Sequence, residues 1–196
     1  MTDVAGADPG PIGPAERSFG WWDMFVHPED DPRSDGGFAG ARDTLVGFLR
    51  DQRLTLELKC AGLDAEGMAR RSVEPSNLSL LGLVRHLARV EQKWFRRVMA
   101  GQDVPLHYGT DDEPDGDFDG ALPEPAMVAE AWETWRAEVG FAERLVAEAP
   151  SLDITGTNHG EPIALREVLV HMVEEYARHN GHADFLRERI DGRVGQ

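Results

Sequence analysis

Apolar residues return every three to four positions in four stretches of the chain, the period of helices that bury one face. The first stretch, about Ala41 to Ala61, places Leu45, Phe48, Leu49, Gln52 and Leu56 on its predicted inner face. The second follows Pro75 and a capping Ser76-Asn77, and runs from about Leu78 to Ala100 with Leu83, His86, Val90 and Trp94 in phase. The third starts after Pro123 or Pro125, where Val128, Trp132, Trp135, Val139, Ala142 and Val146 recur at close to heptad spacing. The fourth occupies about Leu165 to Arg189. No segment alternates convincingly as a strand would, so the pattern predicts an all-α protein, a four-helix bundle. Before the first helix the chain is rich in Gly, Pro and Asp apart from the cluster GWWDMFVHP. Residues 1–38 therefore read as an irregular arm and 39–196 as one helical domain. Trp21, Trp22 and Phe25 are expected to dock on that domain or on a second subunit, because an exposed aromatic cluster is adhesive.

Polar residues interrupt two of these apolar faces. On the last helix His171, Glu175, His179 and His182 follow one another at intervals of four, four and three. At roughly 100° per residue they fall within about 80° of one another, on a stripe that also carries Val168 and Leu186. Taken singly, each histidine is better read as a core residue hydrogen-bonded to a neighbour. Taken together they are expensive to bury without a common partner. A divalent cation satisfies imidazole nitrogen and carboxylate oxygen at once. His86, at a core position on the second helix, offers a further ligand. A metal held by His86, Glu175 and His179 would have three protein ligands and an open position, the arrangement of catalytic zinc; His182 completing the set would make the site structural.

Composition narrows the setting. A chain of 196 residues, 41% of them hydrophobic, suits one well-buried domain. Only 20 Lys and Arg face 36 Asp and Glu, and the net charge of −16 argues against nucleic acid and anionic membranes as partners. No run of apolar residues is long enough for a membrane span, and no basic-then-apolar leader opens the chain, so a cytoplasmic location is expected. The single cysteine, Cys60, fits a reducing compartment and reads as a buried, inert thiol. The loop from Asp111 to Gly120 carries Asp115, Asp117, Asp119 and Gly120 at the spacing of a calcium loop. Ala126 stands where the closing Glu should be, so a solvated acidic loop is the better reading. Gly181, inside the last helix, suggests a close approach by a ligand or a neighbouring helix.

Three segments, LSLLGLVRHLARVEQKWF, GEPIALREVLVHMVEEYARHNGHADFLRERIDG and TLELKCAGL, together resemble the DinB-like superfamily. Within it they are most similar to a branch of small actinobacterial proteins related to mycothiol-dependent maleylpyruvate isomerase and thiol S-transferases. The resemblance covers about Ala41 to Gly192. It implies an up-down-down-up four-helix bundle with a divalent metal near one end. Three histidines are the usual ligands there; in this chain Glu175 stands where one of them is expected, and the isomerase's His, Glu, His set maps onto His86, Glu175 and His179. The implied activity is a metal-dependent, zinc-type thiol S-transferase in which a low-molecular-weight thiol such as mycothiol, held as thiolate, attacks an electrophile. His182 and His171 become outer partners, proton carriers or a fourth ligand. Two readings from other classes stay open: a non-catalytic, stress-type metal-binding protein, and a metal-assisted hydrolase. A homodimer fits the apolar faces and the aromatic arm.

Overall fold

The computed structural model describes residues 25–33, 36–110 and 113–195. The architecture is mainly helical. Helix α1 spans Gly40–Cys60, the short α2 Ala65–Ala69, α3 Leu80–Glu91 with a π-helical continuation over Gln92–Met99, the short α4 Gly116–Asp119, α5 Pro125–Glu148 and α6 Leu165–Asp191. The four long helices fall where the apolar periodicity puts them, with two adjustments. Ser79, and not the preceding Ser76-Asn77 pair, caps α3, its hydroxyl accepting the Gly82 N–H at 3.1 Å. The second half of the predicted helix widens into π geometry, where Gln92 turns its side chain to the following loop, donating to Pro105 O at 3.1 Å and accepting from His107 N at 2.9 Å.

A β-hairpin corrects the strand-free expectation. Thr155–Asn158 (β1) pairs antiparallel with Glu161–Ala164 (β2) through a two-residue turn, His159 at φ 51° and Gly160 at φ 87°. Two consecutive positive φ values are what a tight hairpin turn demands, and Gly supplies one without strain. The hairpin packs on the end of the π segment: a Cβ at Gly156 would lie 2.2 Å from Val98 O.

The core is apolar, with Leu56, Leu80, Leu83, Leu87, Phe95, Leu165 and Met172 all at 0% exposure. One predicted inward residue is not in it. Phe48 is 51% exposed on the outer face of α1, where it meets Phe38 edge-on at 5.8 Å. The phase of α1 is set instead by Leu49, Arg53, Leu56 and Cys60, all buried. Gly47 makes room for Phe38, whose ring would lie 2.2 Å from a Cβ there.

Four polar side chains cross this core, one from each long helix. Arg53 donates to both oxygens of Glu91 at 2.8 Å, Tyr176 OH donates to Glu91 Oε1 at 2.8 Å, and Trp135 Nε1 donates to the Tyr176 oxygen at 2.8 Å. Glu91 is fully buried, so its charge is tolerated only because the bidentate arginine and the phenol match its lone pairs. Further contacts tie the helices end to end. Arg42 reaches Val146 O and Ala149 O at 2.5 and 2.8 Å, Asn180 reaches Gln52 O at 2.9 Å, and Lys59 pairs with Asp184. Of the arm's aromatic cluster, Phe25 lies against Lys59 and Arg187, at 5.1 and 5.6 Å from its ring, whereas Trp21 and Trp22 lie outside the described residues. Cys60 is buried, and burial pushes its thiol up to about 12. No described helix is long and apolar enough to cross a membrane.

Candidate metal centre

His86 on α3 meets Glu175 and His179 on α6. One ligand atom from each lies within 4.8 Å of the other two. The shared point is Glu175 Oε1, at 3.2 Å from His86 Nε2 and 3.3 Å from His179 Nε2. For tetrahedral zinc with bonds of about 2.0–2.1 Å, neighbouring ligand atoms sit roughly 3.3 Å apart. The donor set of two imidazole nitrogens and one carboxylate oxygen also matches that ion's preference. These three residues therefore fit a divalent metal. The side chains of His86, Glu175 and His179 remain 22, 21 and 11% exposed, so solvent reaches them.

The surroundings are as informative as the trio. His86 Nδ1 lies 2.8 Å from Asp117 Oδ2, so its two ring nitrogens face two different carboxylates. Burial opposes a charged imidazole here, but the hydrogen bonds to Asp117 and Glu175 outweigh it and hold the His86 pKa above its ordinary value. Hydrogen bonds from His179 and His86 keep Glu175 ionised far below the usual carboxylate range. Two carboxylates flanking one imidazole favour positive charge between them.

The remaining α6 histidines take separate positions. His182 Nδ1 approaches His179 Nδ1 at 3.3 Å, on the ring nitrogen that points away from Glu175. It thus contacts the side of the His179 ring away from Glu175. Burial, then His179 and Arg178, lower its pKa. His171 stacks at a tilt on Trp94, ring centroids 4.7 Å apart, and lines a groove with Ala41, Leu45 and Val170; among the described residues it makes no hydrogen bond to the trio. At Gly181 the neighbouring-helix half of the expectation fails: among the described residues no atom outside its own helix backbone comes within 4 Å of a Cβ built there.

Sequence reasoning missed Asp117. As part of an acidic loop it reads as solvated, yet it is 1% exposed, while Asp119 pairs with Arg71 at 3.1 Å on the surface. The spacing that resembles a calcium loop does not bring these carboxylates to one point, because α4 turns Asp117 inward. The only hint in the sequence is Phe118, an apolar residue inside a run of acids.

A mainly helical protein with a solvent-reachable His–Glu–His cluster between two of its long helices is the class that this geometry defines. The chain belongs to the mycothiol-S-transferase family, whose model matches residues 44–192. No curated protein and no solved structure matches it.

Proposed function

We propose that the protein is a zinc-dependent mycothiol S-transferase, with His86, Glu175 and His179 as the metal ligands and an electrophilic small molecule as acceptor. What carries the reading is the convergence of three Lewis-basic atoms within 4.8 Å in a chain whose family is defined by mycothiol transfer. Bound zinc would supply a Lewis acid that keeps a coordinated thiol deprotonated near neutral pH. The chain's own residues do the rest. His86 and His179 each turn Nε2 inward, Glu175 contributes the negative charge, and His182 on the outer nitrogen of His179 leaves a fourth position for the thiol. Phe118, stacked on His86 at 5.0 Å, walls one side with an apolar ring and limits water there.

The scaffold we infer is an up-down-down-up bundle. The Arg42 bonds to the end of α5 support antiparallel α1 and α5, the Gln52–Asn180 and Lys59–Asp184 contacts support parallel α1 and α6, and His86–Glu175 with Trp94–His171 supports antiparallel α3 and α6. The family match over 44–192 supports a division into an arm at 1–38 and a domain at 39–196. A single buried thiol suits a reducing compartment such as the cytoplasm.

The test is conjugation. Zinc-loaded protein should couple a generic electrophile to mycothiol, and far more slowly to glutathione or cysteine. A fully loaded protein inert across a broad electrophile panel would leave the non-catalytic metal-binding reading, and thiol-independent ester cleavage would favour the hydrolase.

A further inference from the structure

The short helix α4 is pinned against α3 by contacts that converge on one ring. Arg85 donates from Nε to Asp117 O at 2.9 Å and from a terminal nitrogen to Gly116 O at 2.9 Å. Its guanidinium in turn lies 4.1 Å from the Tyr108 ring centroid. Gly82 on α3 lets α4 approach, since a Cβ there would sit 2.9 Å from the Phe118 ring. So held, Phe118 stacks on His86 with an interplanar angle of 26°, and Asp117 Oδ2 comes 2.8 Å from His86 Nδ1. The other oxygen, Oδ1, accepts the Phe118 N–H at 3.2 Å, and Arg89 lies 3.5 Å from Oδ2. A buried carboxylate is costly unless its partners are fixed in place, and here they are.

We propose that Asp117 is a positioning residue for the metal site: by accepting the Nδ1–H of His86 it fixes the tautomer whose Nε2 lone pair faces Glu175 and His179. A histidine that binds a metal through one nitrogen depends on what the other nitrogen holds, and loss of such an outer partner typically costs about 10–100-fold in metal affinity. Phe118 fixes the plane of the ring and Asp117 its rotation, so α4 acts as a clamp on His86. The inference rests on the zinc reading above.

Asp117→Ala and the isosteric Asp117→Asn separate this role from a merely structural one. Zinc affinity is measured by chelator competition, the fold by the melting of metal-free protein, and the His86 tautomer by long-range ¹H–¹⁵N correlation in the metal-free state at a pH high enough for the ring to be neutral. Expected is a loss of zinc affinity approaching 100-fold in Asp117→Ala and nearer ten-fold in Asp117→Asn, which keeps an acceptor but no charge. The Nδ1–H signal of His86 should persist in Asp117→Asn and redistribute in Asp117→Ala. If the wild type binds zinc and both variants bind it equally tightly, the positioning role is overturned while the site stands; if the wild type binds no zinc, both are overturned.

Discussion

Two polar clusters are built into this helical protein, and they differ in one respect that decides what each can do. In the quartet of Arg53, Glu91, Tyr176 and Trp135 every donor meets an acceptor: guanidinium and phenol hydrogens point at Glu91, and the indole N–H points at the phenol oxygen. In the trio of His86, Glu175 and His179 two imidazole Nε2 atoms share a single carboxylate oxygen, and all three atoms become Lewis bases facing one point once the Nε2 protons leave. The quartet is closed chemically and buried. The trio is open on both counts. Satisfied polar groups in a core specify structure, whereas converging lone pairs call for a further atom.

Substitutions should therefore have opposite signatures in the two clusters. The largest expected effect is on metal: His86→Ala or His179→Ala should abolish stoichiometric zinc by elemental analysis, and His179→Ala, which leaves the His86–Asp117 pair intact, should change the melting of metal-free protein far less than Arg53→Ala does. Unchanged zinc content would remove the site from these residues. Arg53→Ala should do the reverse. It strands the buried Glu91 charge and should cost about 3–5 kcal/mol in chemical denaturation, with one zinc per folded chain retained. Tyr176→Phe removes one hydrogen bond to that carboxylate and orphans the Trp135 N–H, at about 1.5–3 kcal/mol by the same measurement. A loss of zinc in Tyr176→Phe would show that the clusters are coupled.

The smallest effect belongs to Glu138, which lies between Arg96 at 2.5 Å and His107 at 3.1 Å. Burial opposes its charge, but His107 and Arg96 outweigh that and hold its pKa below the ordinary 4.5. A depressed carboxylate stabilises the fold above the unfolded pKa and loses that contribution as pH falls through the folded one. Thermal melts should accordingly show Glu138→Gln less stable than wild type at neutral pH and the two converging in acid. A gap that stays constant down to low pH would mean that ionisation of Glu138 is irrelevant.

The long helices and the meeting of three side chains were legible because both rest on the 3.6-residue period, which places Glu175 and His179 one turn apart and His86 among Leu83 and Val90. Other features depend on tertiary contacts that no period records. Phe48 faces outward because the backbone at Gly47 admits Phe38, and Asp117 faces inward because Arg85 and Gly82 draw α4 against α3. The hairpin escaped because its four-residue strands are too short to show alternation, although His159-Gly160 marks the turn. His171 and His182 share a stripe with Glu175 and His179 on a helical wheel, yet one leans on Trp94 and the other on the Nδ1 side of His179. Angular position on a helix says which way a residue leaves the axis, and neighbours decide what it touches.

Cys60, the chain's one cysteine, is 5% exposed, and its proton is held to about 12. A catalyst that brings alkylating agents to an activated sulfur runs the hazard of suicide by its own thiol. Sealing that sulfur away from solvent, protonated, removes the chain's one cysteine nucleophile, so under the proposed transfer chemistry it would not compete with the thiol for the electrophile.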